Sequence, residues 1–371
     1  MALLSVLSVG WYYAGEILRP PQAERPVYDV TVADVGETTV TVPAAAVPDG
    51  VWGLQWPEGY ARVGEVVGTD PDAGTVTRRM VPVIGALQAG QAVAVDAHAY
   101  PPDAADAFAF PAETVLLAGP DGPLPADVVV PEVTAPDDER TAWRAGPRDT
   151  WVIMVHGRGG SRSEAFRALP TIRALGLPAL VLGYRNDPDA PASPDGHSGL
   201  GWTEWRDVQA ATDYAFDHGA RDVVLLGYSM GGAIVSTYLH EAPDADRVAG
   251  MVLDAPVLDW DVVLRAAAAD RGVPLWLIPV ARGIITVRTG LRWGRLDQVA
   301  RAEDFDVPIL LFHGTADPTV PVASSDAFAA ARPDLVTYVR VEGAGHVRAW
   351  NADPDAYEAH LRDFLLTTVG R

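Results

Sequence analysis

The stretch Val223-Val224-Leu225-Leu226-Gly227-Tyr228-Ser229-Met230-Gly231-Gly232-Ala233-Ile234 decides the fold of this 371-residue chain. Its first four residues form an apolar run of buried-strand type. Gly227 to Gly231 then make a tight turn around a serine, and Gly232 to Leu239 read as a helix. Strand, sharp turn and helix together are the setting in which a Gly-x-Ser-x-Gly serine is exposed at the end of a strand. The flanking glycines are needed because strand and helix backbones approach closely there. The following helix aims its N-terminus near the reacting oxygen.

Three further segments share this design. Val152-Ile153-Met154-Val155 runs into His156-Gly157-Arg158-Gly159-Gly160, an apolar strand opening into a glycine-rich loop. Acyl transfer needs two donors aimed at a developing oxyanion. The backbone N–H groups of Met230 and Arg158 are the candidates. Ser161 and Glu164 read as a capping box that opens the next helix. Pro308 to Phe312 forms another apolar strand, and its polar turn carries Asp317. Val336 to Val341 is followed by Glu342-Gly343-Ala344-Gly345-His346, a histidine in a glycine-rich loop.

In this order, Ser229, Asp317 and His346, the chain from about residue 150 to 369 resembles the α/β-hydrolase superfamily of esterases, lipases and peptidases. The resemblance implies Ser229 as nucleophile, His346 as base and acid, and Asp317 as the residue that orients His346. A serine at its free pKa is a poor nucleophile and needs a base. Histidine titrates near neutrality and can take and return that proton. A carboxylate fixes its tautomer and stabilises the imidazolium. Asp254, at the end of the Met251-Val252-Leu253 run, is a second candidate for the orienting role. His197 lies in a loop on the same sheet edge and reads as a solvated loop histidine or a second base. His156 and His313 read as loop-shaping residues.

Composition narrows the remaining chemistry. There is no cysteine, which excludes disulfides, thiolate catalysis and cysteine-ligated metals. All 28 basic residues are arginine, so Schiff-base and Walker A lysines are excluded as well. The formal net charge of −21 disfavours DNA, RNA and anionic membranes as partners. No metal or organic cofactor is expected.

Alternating strands (151–155, 179–184, 223–228, 249–254, 308–313, 335–341) and helices (162–175, 203–218, 231–241, 322–332, 354–368) predict a mostly parallel sheet covered on both faces. Ligands of such sheets bind at the carboxyl ends of the strands. Within a catalytic region spanning 146–371, the apolar stretch 257–305 interrupts this alternation and predicts a cap of two or three short helices. Tyr228, Trp260 and Trp276 are the candidate substrate contacts of an apolar acyl pocket.

Residues 27–145 read as a β-rich accessory region of short antiparallel strands, with Thr114–Leu117 continuing it and Leu124–Val130 joining the catalytic sheet as an edge strand. Trp52, Trp56 and Tyr60 sit in its loops. Pro136–Gly146 reads as a linker. Residues 1–26 form an apolar segment, interrupted by Glu16, that reads either as an anchor or targeting segment or as a helix packed on the body. Membrane-associated, exported and cytoplasmic locations all stay open, as does the oligomeric state. The expected function is hydrolysis of small-molecule carboxylic esters with an apolar short-to-medium acyl group. Peptidase, thioesterase or acyltransferase chemistry on the same residues is the alternative, followed by a hydrolase-like binding protein without catalysis.

Overall fold

The structure, a computed structural model, describes residues 2–21, 25–131 and 149–369. The linker expected at Pro136–Gly146 lies outside the described residues. Among the described residues the strands form two sheets.

The first sheet is antiparallel, ordered β1-β7-β4-β5-β6-β3-β2. Its strands are β1 (Val30–Thr31), β2 (Asp34–Val35), β3 (Thr39–Pro43), β4 (Trp52–Trp56), β5 (Gly59–Asp70), β6 (Thr75–Ile84) and β7 (Ala92–Asp96). Val40, Val42, Leu54, Ala61 and Val63 alternate inward to make its own small core. Trp52 and Trp56 lie on β4 and Tyr60 on β5, not in loops, and Trp56 and Tyr60 are buried.

The second sheet is ordered β15-β14-β13-β12-β10-β11-β9-β8. Its strands are β8 (Glu113–Gly119), β9 (Gly122–Val129), β10 (Thr150–Val155), β11 (Ala179–Leu182), β12 (Asp222–Tyr228), β13 (Val248–Asp254), β14 (Ile309–Gly314) and β15 (Val336–Val341). From β11 through β15 every pairing is parallel. Strands β9 and β8 are added antiparallel. Thr114–Leu117 therefore belongs to this sheet and not to the accessory one. It makes β8 the edge and moves β9 one place inward, because the Gly119–Gly122 turn folds the two into a hairpin.

The helices are α1 (Ala2–Leu18), α2 (Ala104–Ala107), α3 (Leu169–Ala174), α4 (Trp205–Asp217), α5 (Met230–Glu241), α6 (Trp260–Asp270), α7 (Leu277–Thr289), α8 (Ala323–Ala331), α9 (Ala349–Ala352) and α10 (Pro354–Thr368). Ile153, Val155, Leu225 and Leu253 point to one face of the sheet, with α5 and the inserted helices α6 and α7. Val152, Met154, Leu226, Val252 and Leu310 point to the other, with α3 and α10. Burial on both faces is why these strands read as continuous apolar runs. No helix of the described residues is long and apolar enough to cross a membrane.

Candidate active site

Ser229 joins β12 to α5 with φ 49° and ψ −116°, a conformation that L-residues rarely adopt. Two glycines permit it. A Cβ on Gly231 would lie 2.1 Å from the Val155 carbonyl oxygen, and one on Gly227 would lie 2.6 Å from the Gly231 backbone. The strained turn is pinned by neighbouring backbone. The Ser229 N–H donates to the Asp254 carbonyl at 2.9 Å, and the Ser229 carbonyl accepts from Val257 N–H at 3.0 Å.

His346 sits in the loop after β15. Its Nε2 is 2.8 Å from Ser229 Oγ, and its Nδ1 is 2.7 Å from Asp317 Oδ2. With Nδ1–H donating to a carboxylate, Nε2 is left as acceptor for the serine hydroxyl. The side chain of Asp317 is buried, and its Oδ1 accepts from the N–H groups of Thr319 and Val320, each at 2.8 Å. His313 Nε2 lies 3.3 Å from Asp317 Oδ2. Burial alone would push the Asp317 carboxyl up. The hydrogen bonds from His313 and His346 outweigh it and hold Asp317 well below the usual carboxylate range. Asp254 differs in its partners and in the direction of its shift. It is fully buried, and its carboxylate oxygens meet no hydrogen-bond partner among the described residues. Burial raises its pKa to about 6, against the lowering effect of Arg167.

The loop after β10 lies against the nucleophile. A Cβ on Gly157 would be 3.0 Å from Ser229 Cβ, so Arg158 follows directly beside the serine. Met230 is the first residue of α5, with its amide in the unpaired first turn of the helix. The expected capping box is not formed. Residues Arg162–Ala168 begin as a 3-10 turn in which Ser161 makes no side-chain cap bond. Glu164 instead turns inward, and its Oε2 accepts the Gly157 N–H at 2.6 Å. Burial opposes this charge, but His98, Arg167 and the Gly157 amide outweigh it and lower the Glu164 pKa.

The other expected site residues are placed as follows. Trp260 is buried, donates its indole N–H to the Leu200 carbonyl at 3.0 Å, and lines a cavity of about 420 Å³ bounded also by Arg158. The structure does not bring Tyr228 or Trp276 to that cavity. Tyr228 is 0 % exposed and packs in the core across the sheet, where Arg167 lies 5.2 Å from its ring centre. Trp276 caps α7 and is 58 % exposed. His197 Nε2 accepts from Arg288 on α7 at 2.9 Å. His156 is buried, bonded to Asp187 at 2.9 Å and stacked on Tyr184. His313 ties Ser325 and the Val320 carbonyl to the Asp317 turn. Among the described residues no cluster of side chains is suited to hold a metal.

A family model described as Alpha/beta hydrolase family matches residues 152–360, more than half of the sequence. The chain belongs to the alpha/beta hydrolase family. A second model, a domain of unknown function (DUF8805), matches residues 29–96 of this hydrolase, the span of the accessory sheet. An uncharacterized protein of Mycobacterium tuberculosis is 24% identical over 237 residues, 62% of this chain and 73% of that one. An esterase of Pyrococcus furiosus shares the fold with a TM-score of 0.53 at 18% identity, over 70% of this chain and 92% of that one. A puromycin-hydrolyzing peptidase of Mycobacterium tuberculosis gives 0.52 at 20% identity, over 94% of this chain and 50% of that one.

Sequence reading missed how far the accessory region of the hydrolase reaches toward these loops. Asn351 on α9 is 1 % exposed, and its side-chain amide donates to the carbonyls of Val51 at 2.7 Å and Ala97 at 2.9 Å. His98 Nδ1 lies 2.9 Å from Ser163 Oγ, next to Glu164. Val347, directly after His346, is held at φ 52° while its carbonyl accepts from buried Arg167 at 3.0 Å. A β-branched residue in this region is an outlier that needs such support. A signal for these contacts is Asn351, a polar residue in the otherwise apolar stretch Ala349–Ala352, whereas Arg167 sits among other polar residues and offers none.

Proposed function

We propose that the protein is a serine hydrolase of carboxylic esters with an apolar short-to-medium acyl group. The observation that carries this reading is the continuous hydrogen-bonded row from Ser229 Oγ through His346 to Asp317. In this reading Ser229 Oγ attacks the ester carbonyl while His346 Nε2 takes its proton. The N–H groups of Met230 and Arg158 receive the oxyanion. His346 passes the proton to the departing alcohol, which leaves an acyl-enzyme on Ser229. Water, deprotonated by His346, then attacks that ester, and the acid leaves with Ser229 regaining its proton. Asp317, held as an anion by its donors, keeps the imidazole in the required tautomer.

The likeness to the Pyrococcus esterase and the apolar walls near Trp260 support an ester substrate. One observation favours a peptidase as second reading: the likeness to the puromycin-hydrolyzing peptidase extends over 94% of this chain and so takes in accessory strands as well. Hydrolysis of p-nitrophenyl esters from acetate to palmitate, run beside aminoacyl-p-nitroanilides, separates the two. The wild type should cleave esters, and Ser229→Ala should lose about a millionfold in turnover. Cleavage of anilides with no ester activity would replace the first reading by the second.

A further inference from the structure

The N-terminal helix α1 packs on the inserted helix α7 and reaches the loop beside Ser229. A Cβ on Gly10 would lie 2.6 Å from a Val280 methyl, so the two helices approach closely where Gly10 has no side chain. Arg288 covers the Trp11 ring at 4.8 Å. Ala14 and Leu18 are completely buried in the core that α5 and the insertion share. The far end of α1 is tied to the loop after β10 and to the loop that carries His197. Arg158 donates through Nη2 to the Arg19 carbonyl at 2.6 Å and the Ile17 carbonyl at 3.3 Å, and the Leu18 carbonyl accepts from Ser198 N–H at 2.8 Å. An arginine is well suited to these carbonyls, which a helix C-terminus leaves unpaired.

The cavity of about 420 Å³ lies between these parts. One wall is α1, through Tyr13 and Ile17; the others are α6, through Trp260 and Val263, and α7, through Leu277 and Ile278. Arg158 and Leu200 also bound it, and Arg158 directly follows Gly157, which packs against Ser229. Glu16 and Arg271 are further charged groups on a surface that is otherwise mostly apolar. A space of this size, apolar with few polar groups, suits a small hydrophobic ligand.

We propose that α1 is a wall of the substrate site, so that the aliphatic acyl chain of the ester lies between α1, α6 and α7 with its carbonyl at Ser229. This rests on the ester-hydrolase reading above and assigns residues 2–18 to acyl selection. The occupant is an acyl chain because the walls are mostly apolar and the cavity meets Arg158, in the loop beside Ser229 where the carbonyl must sit.

The test fills the cavity from opposite walls with Ile17→Trp and, separately, Val263→Trp, each checked for folding by circular dichroism. The ratio of kcat/KM for p-nitrophenyl decanoate to that for the acetate should fall by about tenfold or more in either folded variant. Decanoate itself, titrated by calorimetry into Ser229→Ala, should bind, and adding Ile17→Trp should weaken it by about tenfold. An unchanged ratio in a folded variant, or decanoate affinity indifferent to Ile17→Trp, overturns the assignment of α1. Absence of ester cleavage by the wild type with decanoate binding still sensitive to Ile17→Trp keeps the acyl site and overturns the ester reading alone.

Discussion

Two carboxylates near His346 have opposite electrostatics, and the difference can be measured. Asp317 is met by donors from Thr319, Val320, His313 and His346. Asp254 has none for its oxygens among the described residues. Its folded pKa of about 6 stands above the ordinary 3.8. For a raised acid, the favourable state is the neutral one, so its contribution to stability is full below the unfolded value and is lost as pH rises through the folded one. Asp254→Asn, which removes the charge and keeps the shape, should therefore raise the melting temperature at pH 8. The gain should shrink through the window from about 6 to 3.8 and vanish below it. A stability difference independent of pH, followed by calorimetry from pH 4 to 8, would contradict this account of Asp254. The sequence offered both aspartates as partners for His346, since Asp254 ends one apolar strand and Asp317 lies in the turn after another. Only three-dimensional proximity separates them: Asp317 reaches Nδ1, whereas Asp254 stays behind the Ser229 turn and meets it through its backbone carbonyl.

At the level of elements, the loop after β10 owes its position to one buried carboxylate. Glu164 holds the Gly157 N–H at 2.6 Å, one residue before the proposed oxyanion donor Arg158. Losing that acceptor frees a loop whose placement matters to a fraction of an ångström. Glu164→Ala should lower kcat by about tenfold to a hundredfold with KM little changed, and Glu164→Gln, which keeps an acceptor, should recover most of it. Equal losses in the two variants would mean that the charge and not the hydrogen bond is what counts. The strand-turn-helix units were legible because parallel strands buried on both faces leave long apolar runs and glycine punctuation. The inward turn of Glu164 was not. Its spacing from Ser161 satisfies the capping-box pattern, and the partners that draw it away, Gly157, His98 and Arg167, are set by tertiary contact. The Gly119-Pro120-Asp121-Gly122 turn was a readable hairpin signal that places β8 beside β9.

Across the whole molecule, parts far apart in sequence meet around one serine. The accessory sheet reaches the His346 loop through Asn351, which bridges to residues 300 and 254 positions away. The first helix reaches the loop beside Ser229 through Arg158, across 139 positions. Short-range patterns carry no trace of such contacts, which is why the site's constituents could be read from sequence while its supports could not. Trp276 illustrates the same limit: an aromatic in an apolar insertion reads as a pocket residue, yet it is 58 % exposed on the outer surface. The supports matter only if the row they hold, Ser229, His346 and Asp317, is chemically competent. The most direct test is the intact mass of the protein after exposure to a small fluorophosphonate, with the adduct located by peptide mapping. One phosphonyl group per chain should appear on Ser229 and none in Ser229→Ala, with labelling strongly slowed in His346→Ala. No adduct on the folded wild type, or an adduct on a different residue, would contradict it.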